Sequence, residues 1–169
     1  AFEYCYSLTS VVIPDSVTSI GAGAFSNCKN LTSVVIPNSV TTIGEYAFAN
    51  CYSFTRVIIP DSVTAIGDGA FFDCSSLMSV IIGENVAIIG DCAFEFCLPL
   101  SDGDVYYRGT QAQWNKISIG SYNDPLKNAT IHYNSTGPDV FYISATQQHV
   151  VNNYKTANSD YAKMYLAGT

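Results

Sequence analysis

A repeat of 23 residues is the feature of this 169-residue chain that most limits its fold. The dipeptide Ala-Phe recurs with its alanine at positions 1, 24, 47, 70 and 93, and a cysteine follows four residues after each alanine. One complete unit, residues 13–35, has the sequence IPDSVTSIGAGAFSNCKNLTSVV. A unit of this length cannot bury its own apolar face, so the units must stack on one another as a solenoid.

The phase of the repeat divides the chain into an array and two further segments. A partial first repeat covers 1–12, and full repeats cover 13–35, 36–58, 59–81 and 82–104. Residues 105–134 depart from the pattern and are expected to form a C-terminal cap, in which Thr110 caps a short helix and Trp114 and Ile117 face the stack. The segment 135–138 has the composition of a linker, so 135–169 is either a tail or the start of a further domain.

Each repeat contains two stretches with the pattern of a short strand. In residues 31–36, Leu31, Val34 and Ile36 are expected to point inward, and a proline then ends the strand because it has no N–H to donate. The second stretch, residues 40–43, is closed by Gly44, which the pattern assigns to a turn. Two strands per repeat predict two parallel sheets along the stack. In the last repeat the same spacing places Asp102 in the strand and a glycine at an inward position.

Phenylalanine and cysteine each form a column with one residue per repeat. The fixed phase beside alanine favours phenylalanine rings that fill the coil interior over an aromatic platform for sugars or bases. One cysteine per repeat in a single column favours buried thiols over three disulfides or a metal site, and Cys92 lies outside that column. The predicted structural ladder comprises Phe2, Phe25, Phe48, Phe71, Phe94, Cys5, Cys28, Cys51, Cys74 and Cys97.

The outward positions of the first strand are free to vary without harming the core, and they form the predicted binding surface. A band of valine and isoleucine there would be an exposed apolar stripe that a partner covers; the alternative is a β-branched face selected for strand propensity alone. Arg56 interrupts a serine column and is the strongest single candidate for a contact. The predicted protein-binding residues are Ser10, Val12, Ser33, Val35, Arg56, Ile58, Met78, Ser79, Ile81 and Asp102.

The repeated pattern L-x-x-V-x-I-P…V-x-x-I-G-x-x-A-F-x-x-C, over residues 1 to about 104, resembles the BspA-type leucine-rich repeat family of bacterial surface proteins. The resemblance implies a β-rich solenoid, a right-handed curved coil with short parallel strands. It also implies export to the cell surface or beyond, and a role in adhesion and protein–protein contact.

Charge and motif content exclude several classes of function. Seven basic residues against fourteen acidic ones give a net charge of −7, which argues against nucleic acid as a partner. No apolar run approaches the ~20 residues of a membrane span. No G-x-S-x-G motif, acid–base pair or set of metal ligands emerges, so neither enzyme activity nor a cofactor is predicted.

The predicted function is therefore a surface-displayed module that binds host or neighbouring-cell proteins through its strand face. A carbohydrate- or wall-binding module would need aromatic rows on one face, and the sequence shows only scattered tyrosines; a structural spacer is the third alternative. The chain begins within a repeat, so the first rung either belongs to a fragment or pairs with another copy or with the 135–169 tail.

Overall fold

Two series of short parallel strands run along the molecule. The structure, a computed structural model, describes residues 1–137, and residues 1–135 form one unit. The first series consists of β1 Ser10–Val12, β3 Ser33–Val35, β5 Arg56–Ile59, β7 Ser79–Ile82, β9 Asp104–Tyr107 and β11 Thr130–His132. The second consists of β2 Ser19–Ile20, β4 Thr42–Ile43, β6 Ala65–Ile66, β8 Ile88–Ile89 and β10 Ser118–Ile119.

The strands pair in the register of the repeat. Ser10 pairs with Ser33, Arg56 with Ser79 and Thr42 with Ala65, so partners lie one 23-residue unit apart. The first series forms a two-stranded sheet, β1-β3, and a four-stranded sheet, β5-β7-β9-β11, with β3 beside β5; the second series forms one five-stranded sheet. The predicted solenoid of short parallel strands is confirmed.

A third ladder of backbone hydrogen bonds joins the segments 23–27, 46–50, 69–73 and 92–96, which we call the turn ladder. In the first segment the N–H groups of Gly23, Phe25 and Asn27 donate, at 2.7–2.8 Å, to carbonyl groups of the next rung, those of Glu45, Ala47 and Ala49. The first and fifth residues of every segment have positive φ. That requirement explains why glycine, asparagine and aspartate recur at these two positions.

The core lies between the strands and the turn ladder. Leu31, Val34 and Ile36 are buried in it, as the strand pattern predicted. The five phenylalanine rings of the ladder are stacked along the molecule with centroids 5.2–5.4 Å apart and ring planes within 13° of parallel. Each ring therefore buries the faces of its neighbours, which a single unit could not do.

The glycine that follows each second-series strand is required by close contact between successive rungs. A Cβ atom at Gly44 would lie 2.7 Å from the backbone nitrogen of Ala22, and one at Gly67 would lie 2.7 Å from that of Glu45. Neither glycine has a positive φ. A turn does begin at Gly44, since its carbonyl group accepts from the N–H of Ala47, 3.3 Å away, but what excludes a side chain here is the backbone of the preceding rung.

The last repeat contains two extra residues, and because of them Asp102 does not occupy the strand position predicted for it. Leu77 and Val80 are three residues apart, but the equivalent Leu100 and Val105 are five apart, because a 3₁₀ helix, Leu98–Asp102, precedes the strand. Asp104 therefore pairs with Ser79, and Asp102 lies outside the strand. Val105, not a glycine, takes the inward position.

The segment predicted as a cap continues both sheets. β10 pairs with β8, and β11 pairs with β9, while two short helices, α1 Gln111–Trp114 and α2 Asp124–Asn128, connect them. Thr110 caps α1 as predicted, through a reciprocal pair of bonds with Gln113. Trp114 packs edge-on against Tyr107, with ring centroids 5.2 Å apart. The boundary at 104/105 falls within β9 and stays a prediction, and the predicted tail lies outside the described residues from 138 onward.

The turn ladder ends on one buried side chain. In earlier rungs a phenylalanine N–H donates to a backbone carbonyl of the next rung; the N–H of Phe94 donates instead to Oδ1 of Asn123, 2.9 Å away. The side-chain nitrogen Nδ2 of Asn123 donates to the carbonyl groups of Gly90, Gly120 and Ser121 at 2.9–3.3 Å. Asn123 therefore replaces the missing rung and satisfies polar groups that would otherwise be buried without partners.

Candidate binding surface

The outward side of the first strand series, which we call the strand face, carries two columns of side chains. Cross-strand pairing sets their order from rung to rung. One column contains Ser10, Ser33, Arg56, Ser79, Asp104 and Thr130, and the other contains Val12, Val35, Ile58, Ile81, Tyr106 and His132. The structure therefore brings the predicted contact residues together on one face, except for Asp102 and for Met78, which is exposed just before β7.

Ile58 and Ile81 are not the exposed residues that the sequence predicted. Ile58 is 6% exposed and Ile81 is 0% exposed, although neither belongs to the core cluster, whereas Val12 in the same column is 47% exposed. In the same column Ile81 pairs with Ile58 on one side and with Tyr106 on the other. The apolar stripe is therefore open to solvent only towards the N-terminal rungs.

A polar cluster lies at the other end of the strand face. The Nε2 atom of His132 is 2.7 Å from Oδ1 of Asp104, and the ring of His132 is stacked on Tyr106 with centroids 4.8 Å apart and planes 14° apart. Burial raises the pKa of the Tyr106 phenol; the nearby Asp104 carboxylate adds to the rise, and Arg56 opposes it. We call Arg56, Asp104, Tyr106 and His132 the polar end of the strand face.

The polar end combines ionisable and aromatic side chains on neighbouring strands. Within residues 1–137 His132 is hydrogen-bonded to Asp104 and to no hydroxyl or thiol group. In the same residues no group of three or more His, Cys, Asp and Glu side chains is placed to hold a metal ion. A cation, a carboxylate, a phenol and an imidazole on one rigid sheet can instead form directional contacts with a protein partner.

Sequence reasoning missed most of the polar end. Neither Asp104 nor His132 is among the residues that the sequence predicted to bind a partner. The signal that could have found them is the second occurrence of a strand pattern, residues 129–133, at the distance of one enlarged repeat from β9.

The cysteine column forms a hydrogen-bonded ladder inside the molecule. Sγ atoms of Cys28, Cys51, Cys74 and Cys97 lie 3.1–3.3 Å from the carbonyl oxygen of the phenylalanine in the preceding rung. Burial raises the pKa of Cys51 to about 12 and that of Cys74 well above its ordinary value. All six cysteines are free.

Cys92, outside the column, is half-buried and occupies a positive-φ position of the turn ladder. A hydrogen bond with Glu95, together with burial and nearby carboxylates, raises its pKa to about 11. The thiolate is the reactive form, so Cys92 is a weak nucleophile at neutral pH.

The turn ladder carries an aromatic row that the sequence did not reveal. The rings of Tyr46 and Phe72 meet edge to face with centroids 6.4 Å apart, and those of Phe72 and Phe96 do so at 5.2 Å. Tyr46 and Phe96 are each about half exposed. The three residues belong to different columns of the repeat, and this is why a search for a periodic row misses them.

The repeat region of the chain matches a known protein family. A family model described as "BspA type Leucine rich repeat region" matches residues 1–110 in six copies, which extends past the predicted end of the array at 104. No curated protein sequence matches the chain. None of the helices within residues 1–137 has the length and apolar character needed to cross a membrane.

Solved structures of bacterial leucine-rich repeat proteins share the fold. A leucine rich cell surface protein from Faecalibacterium prausnitzii is 28% identical over 66% of this chain and 35% of its own, with a TM-score of 0.57. The T. pallidum leucine rich repeat protein is 25% identical over 90% of this chain and 73% of its own, also at 0.57. The pneumococcal vaccine antigen PcpA, 18% identical with a TM-score of 0.56, shows likeness of fold alone. The matched region amounts to about a third of the length of the F. prausnitzii protein.

Proposed function

The chain belongs to the BspA-type leucine-rich repeat family, and we propose that it is a non-enzymatic module that binds a protein partner at the cell surface through its strand face. The partner is a surface or matrix protein of a host or neighbouring cell. The F. prausnitzii relative, described as a cell surface protein, supports this location.

The observation that carries the proposal is the composition of the strand face. Its side chains project from hydrogen-bonded parallel strands, and those of the two outward columns lie outside the core cluster. The exposed Val12 gives an apolar contact at one end, and the polar end supplies a charged and aromatic contact at the other. Rigid presentation of this kind lowers the entropic cost of binding.

Catalysis is no part of the proposal. The leucine-rich repeat fold supplies a platform rather than a cleft, and the His132–Asp104 pair has no nucleophile hydrogen-bonded to it within residues 1–137. In this reading the imidazole and carboxylate orient each other for contact with a partner, as a carboxylate orients histidine at many binding sites.

The test is binding of the full chain to immobilised matrix proteins (fibronectin, fibrinogen, laminin and collagen) by surface plasmon resonance, beside a glycan array. For any protein that binds, the double variant Tyr106→Ala, His132→Ala should weaken affinity about tenfold or more, since aromatic contacts of this kind dominate interfaces. The matched control is Ser19→Asp, Thr42→Asp, two exposed positions on the second strand series, and it should bind as the unmodified chain does.

Three results would contradict the proposal. Equal loss of affinity in the control would show that binding does not use the strand face. Binding to glycans with no binding to any protein of the panel would favour a carbohydrate- or wall-binding module instead, and binding to neither would favour a spacer.

A further inference from the structure

Aromatic residues occupy backbone positions of the turn ladder that do not favour them. Tyr46 has φ of 51° and Phe96 has φ of 60°, in the left-handed region that bulky residues avoid. Equivalent positions in other rungs hold Gly23, Gly69 and Asn50, which adopt this conformation readily. The repeat therefore tolerates simpler residues at both sites, and the aromatic side chains are not needed to form the turn.

These side chains are also not part of the core. Tyr46 is 49% exposed and Phe96 is 48% exposed. The ring of Tyr46 lies against Gly69, where a Cβ atom would overlap the ring. Phe72 lies between Tyr46 and Phe96 and contacts the ring of each edge to face. The result is a row of three rings, fixed by mutual contact, that spans successive rungs on the outside of the turn ladder.

Acidic residues flank the aromatic row in the sequence, and they indicate the charge of what binds there, although Asp68 and Asp91 also accept backbone N–H bonds from the following rung. The segments 44–53, 67–76 and 90–98 contain five acidic residues and no lysine or arginine. These acidic residues are Glu45, Asp68, Asp73, Asp91 and Glu95. A surface that combines aromatic rings with carboxylates is complementary to ammonium and guanidinium groups, through both cation–π attraction and charge.

The chain itself contains one such contact, at the neighbouring rungs. The Nζ atom of Lys29 lies over the rings of both Tyr6 and Tyr52, 5.4 Å and 5.6 Å from their centroids. A lysine therefore finds a favourable position between one aromatic side chain on the rung before its own and another on the rung after it. The row Tyr46–Phe72–Phe96 presents comparable rings without a lysine in its own segments.

We propose that the aromatic row Tyr46–Phe72–Phe96 is a second docking surface, distinct from the strand face, that takes a lysine-rich segment of a partner protein. The lysine side chains lie over the rings, and their ammonium groups meet the flanking carboxylates. The surface lies on the turn ladder, so it can be occupied while the strand face is occupied, and two partners or two parts of one partner can be held together.

The experiment measures binding of a synthetic nine-residue peptide of alternating lysine and serine to the full chain by isothermal titration calorimetry at low salt. The test variant is Tyr46→Asn, Phe96→Asn, which places at both positions a residue that the repeat already uses at positive φ. Loss of two exposed cation–π contacts should weaken binding about tenfold. The melting temperature of the variant should equal or exceed that of the unmodified chain, because asparagine relieves the backbone strain.

Controls separate this surface from the strand face and from other occupants. The strand-face variant Tyr106→Ala, His132→Ala should bind the peptide as the unmodified chain does, so failure of the strand-face proposal leaves this one standing. The proposal is overturned by no binding of the lysine peptide, by a loss of less than fivefold in the test variant, or by a lower melting temperature, which would make the rings structural. The proposal is also overturned if a glutamate–serine peptide or cellohexaose binds as tightly as the lysine peptide. It is overturned as well if the chain self-associates and the test variant abolishes that association, because the row would then have another occupant.

Discussion

The thiol of Cys51 lies 3.3 Å from the carbonyl oxygen of Phe25, one rung away, and both groups are buried. The same contact recurs between Cys74 and Phe48 and between Cys97 and Phe71. A thiol is a weak donor, and here it adds a second bond to a buried carbonyl oxygen that also accepts from the N–H of Cys28, 3.2 Å away. The cysteine column therefore connects adjacent rungs, beside the stacked phenylalanine rings.

Replacing Cys51 by alanine should lower the free energy of unfolding by about 2 kcal/mol, because it leaves a small cavity between the rungs and removes the thiol bond, although the Phe25 carbonyl oxygen keeps its bond from the Cys28 N–H. Cys51→Ser keeps a donor and should cost about half as much. Urea denaturation followed by circular dichroism measures both. Cys5→Ala, at a half-buried cysteine of the first rung, is the control and should cost less than about 1 kcal/mol; a cost equal to that of Cys51→Ala would count against the ladder.

Stability should fall at alkaline pH because the buried thiols resist ionisation. Burial raises the pKa of Cys51 from 9.0 to about 12. Between these values the unfolded chain has lost the thiol proton and the folded chain has kept it, so the unfolded state binds fewer protons and the free energy of unfolding decreases as pH rises. The stability contributed by this group is present below about pH 9 and is lost towards pH 12.

The slope for one such thiol approaches about 1.4 kcal/mol per pH unit. Tyrosines contribute in the same direction, since burial also raises the pKa of Tyr106 and Tyr107, so the comparison between variants carries the test. Cys51→Ser, which does not ionise, should show a shallower decline between pH 9 and 11 than the unmodified chain. Identical slopes in urea titrations across that range would show that Cys51 is not the group responsible.

The repeat phase predicted those parts of the structure that depend on one rung resembling the next. The recurrence of Leu31, Val34 and Ile36 at fixed intervals predicted both the strand and the face that is buried. The phenylalanine column likewise leads to the stacked rings, because identical residues in consecutive rungs lie above one another. In a stack of identical repeats, residues that are one repeat apart in sequence become partners on neighbouring rungs.

The same reasoning fails where the rungs differ. Two extra residues before Val105 moved Asp104 into the place predicted for Asp102, and periodicity contains no information about where an insertion is absorbed. The burial of Ile81 does not follow from its column either, since Val12 in the same column is 47% exposed. His132 reaches Asp104 only because β11 adds a further strand beside β9.

Position along the strand face should decide how an introduced charge is tolerated. Ile58→Asp places a carboxylate at a site that is 6% exposed and should destabilise the fold by more than about 3 kcal/mol. Val12→Asp, in the same column but 47% exposed, should change stability by less than about 0.5 kcal/mol. Thermal unfolding of the two variants measures the difference. Similar melting temperatures would mean that Ile58 is open to solvent, as the sequence alone had suggested.

Asn123 should control the stability of the last turn-ladder segment. Asn123→Ala removes the acceptor for the Phe94 N–H and the donor to three carbonyl groups, and should cost about 2–3 kcal/mol. Asn123→Asp keeps the acceptor but aims a carboxylate at those carbonyl groups, so it should be no more stable. Hydrogen exchange of the Phe94 amide should accelerate in both variants.

The exposed Asn128→Ala variant provides the comparison for Asn123, since it removes the same chemical group from a position at the end of α2. It should leave the exchange rate of the Phe94 amide unchanged. Slow exchange retained in Asn123→Ala would show that another group caps the ladder, and the role given to Asn123 would then be wrong.

Spacing between rungs should make the glycine column sensitive to a single methyl group. A Cβ atom at Gly67 would lie 2.7 Å from the backbone nitrogen of Glu45 and 2.8 Å from the carbonyl carbon of Gly44. These are backbone atoms held by hydrogen bonds between rungs, so the rungs must separate. Gly67→Ala should therefore lower the free energy of unfolding by about 3 kcal/mol.

Gly21 occupies the same column, but a Cβ atom there would have no atom within 4 Å. Gly21→Ala should therefore be neutral or slightly stabilising, because it restricts the unfolded chain at no cost in the folded one. If chemical denaturation gave equal effects for the two variants, the requirement for glycine would arise from backbone conformation and not from contact between rungs.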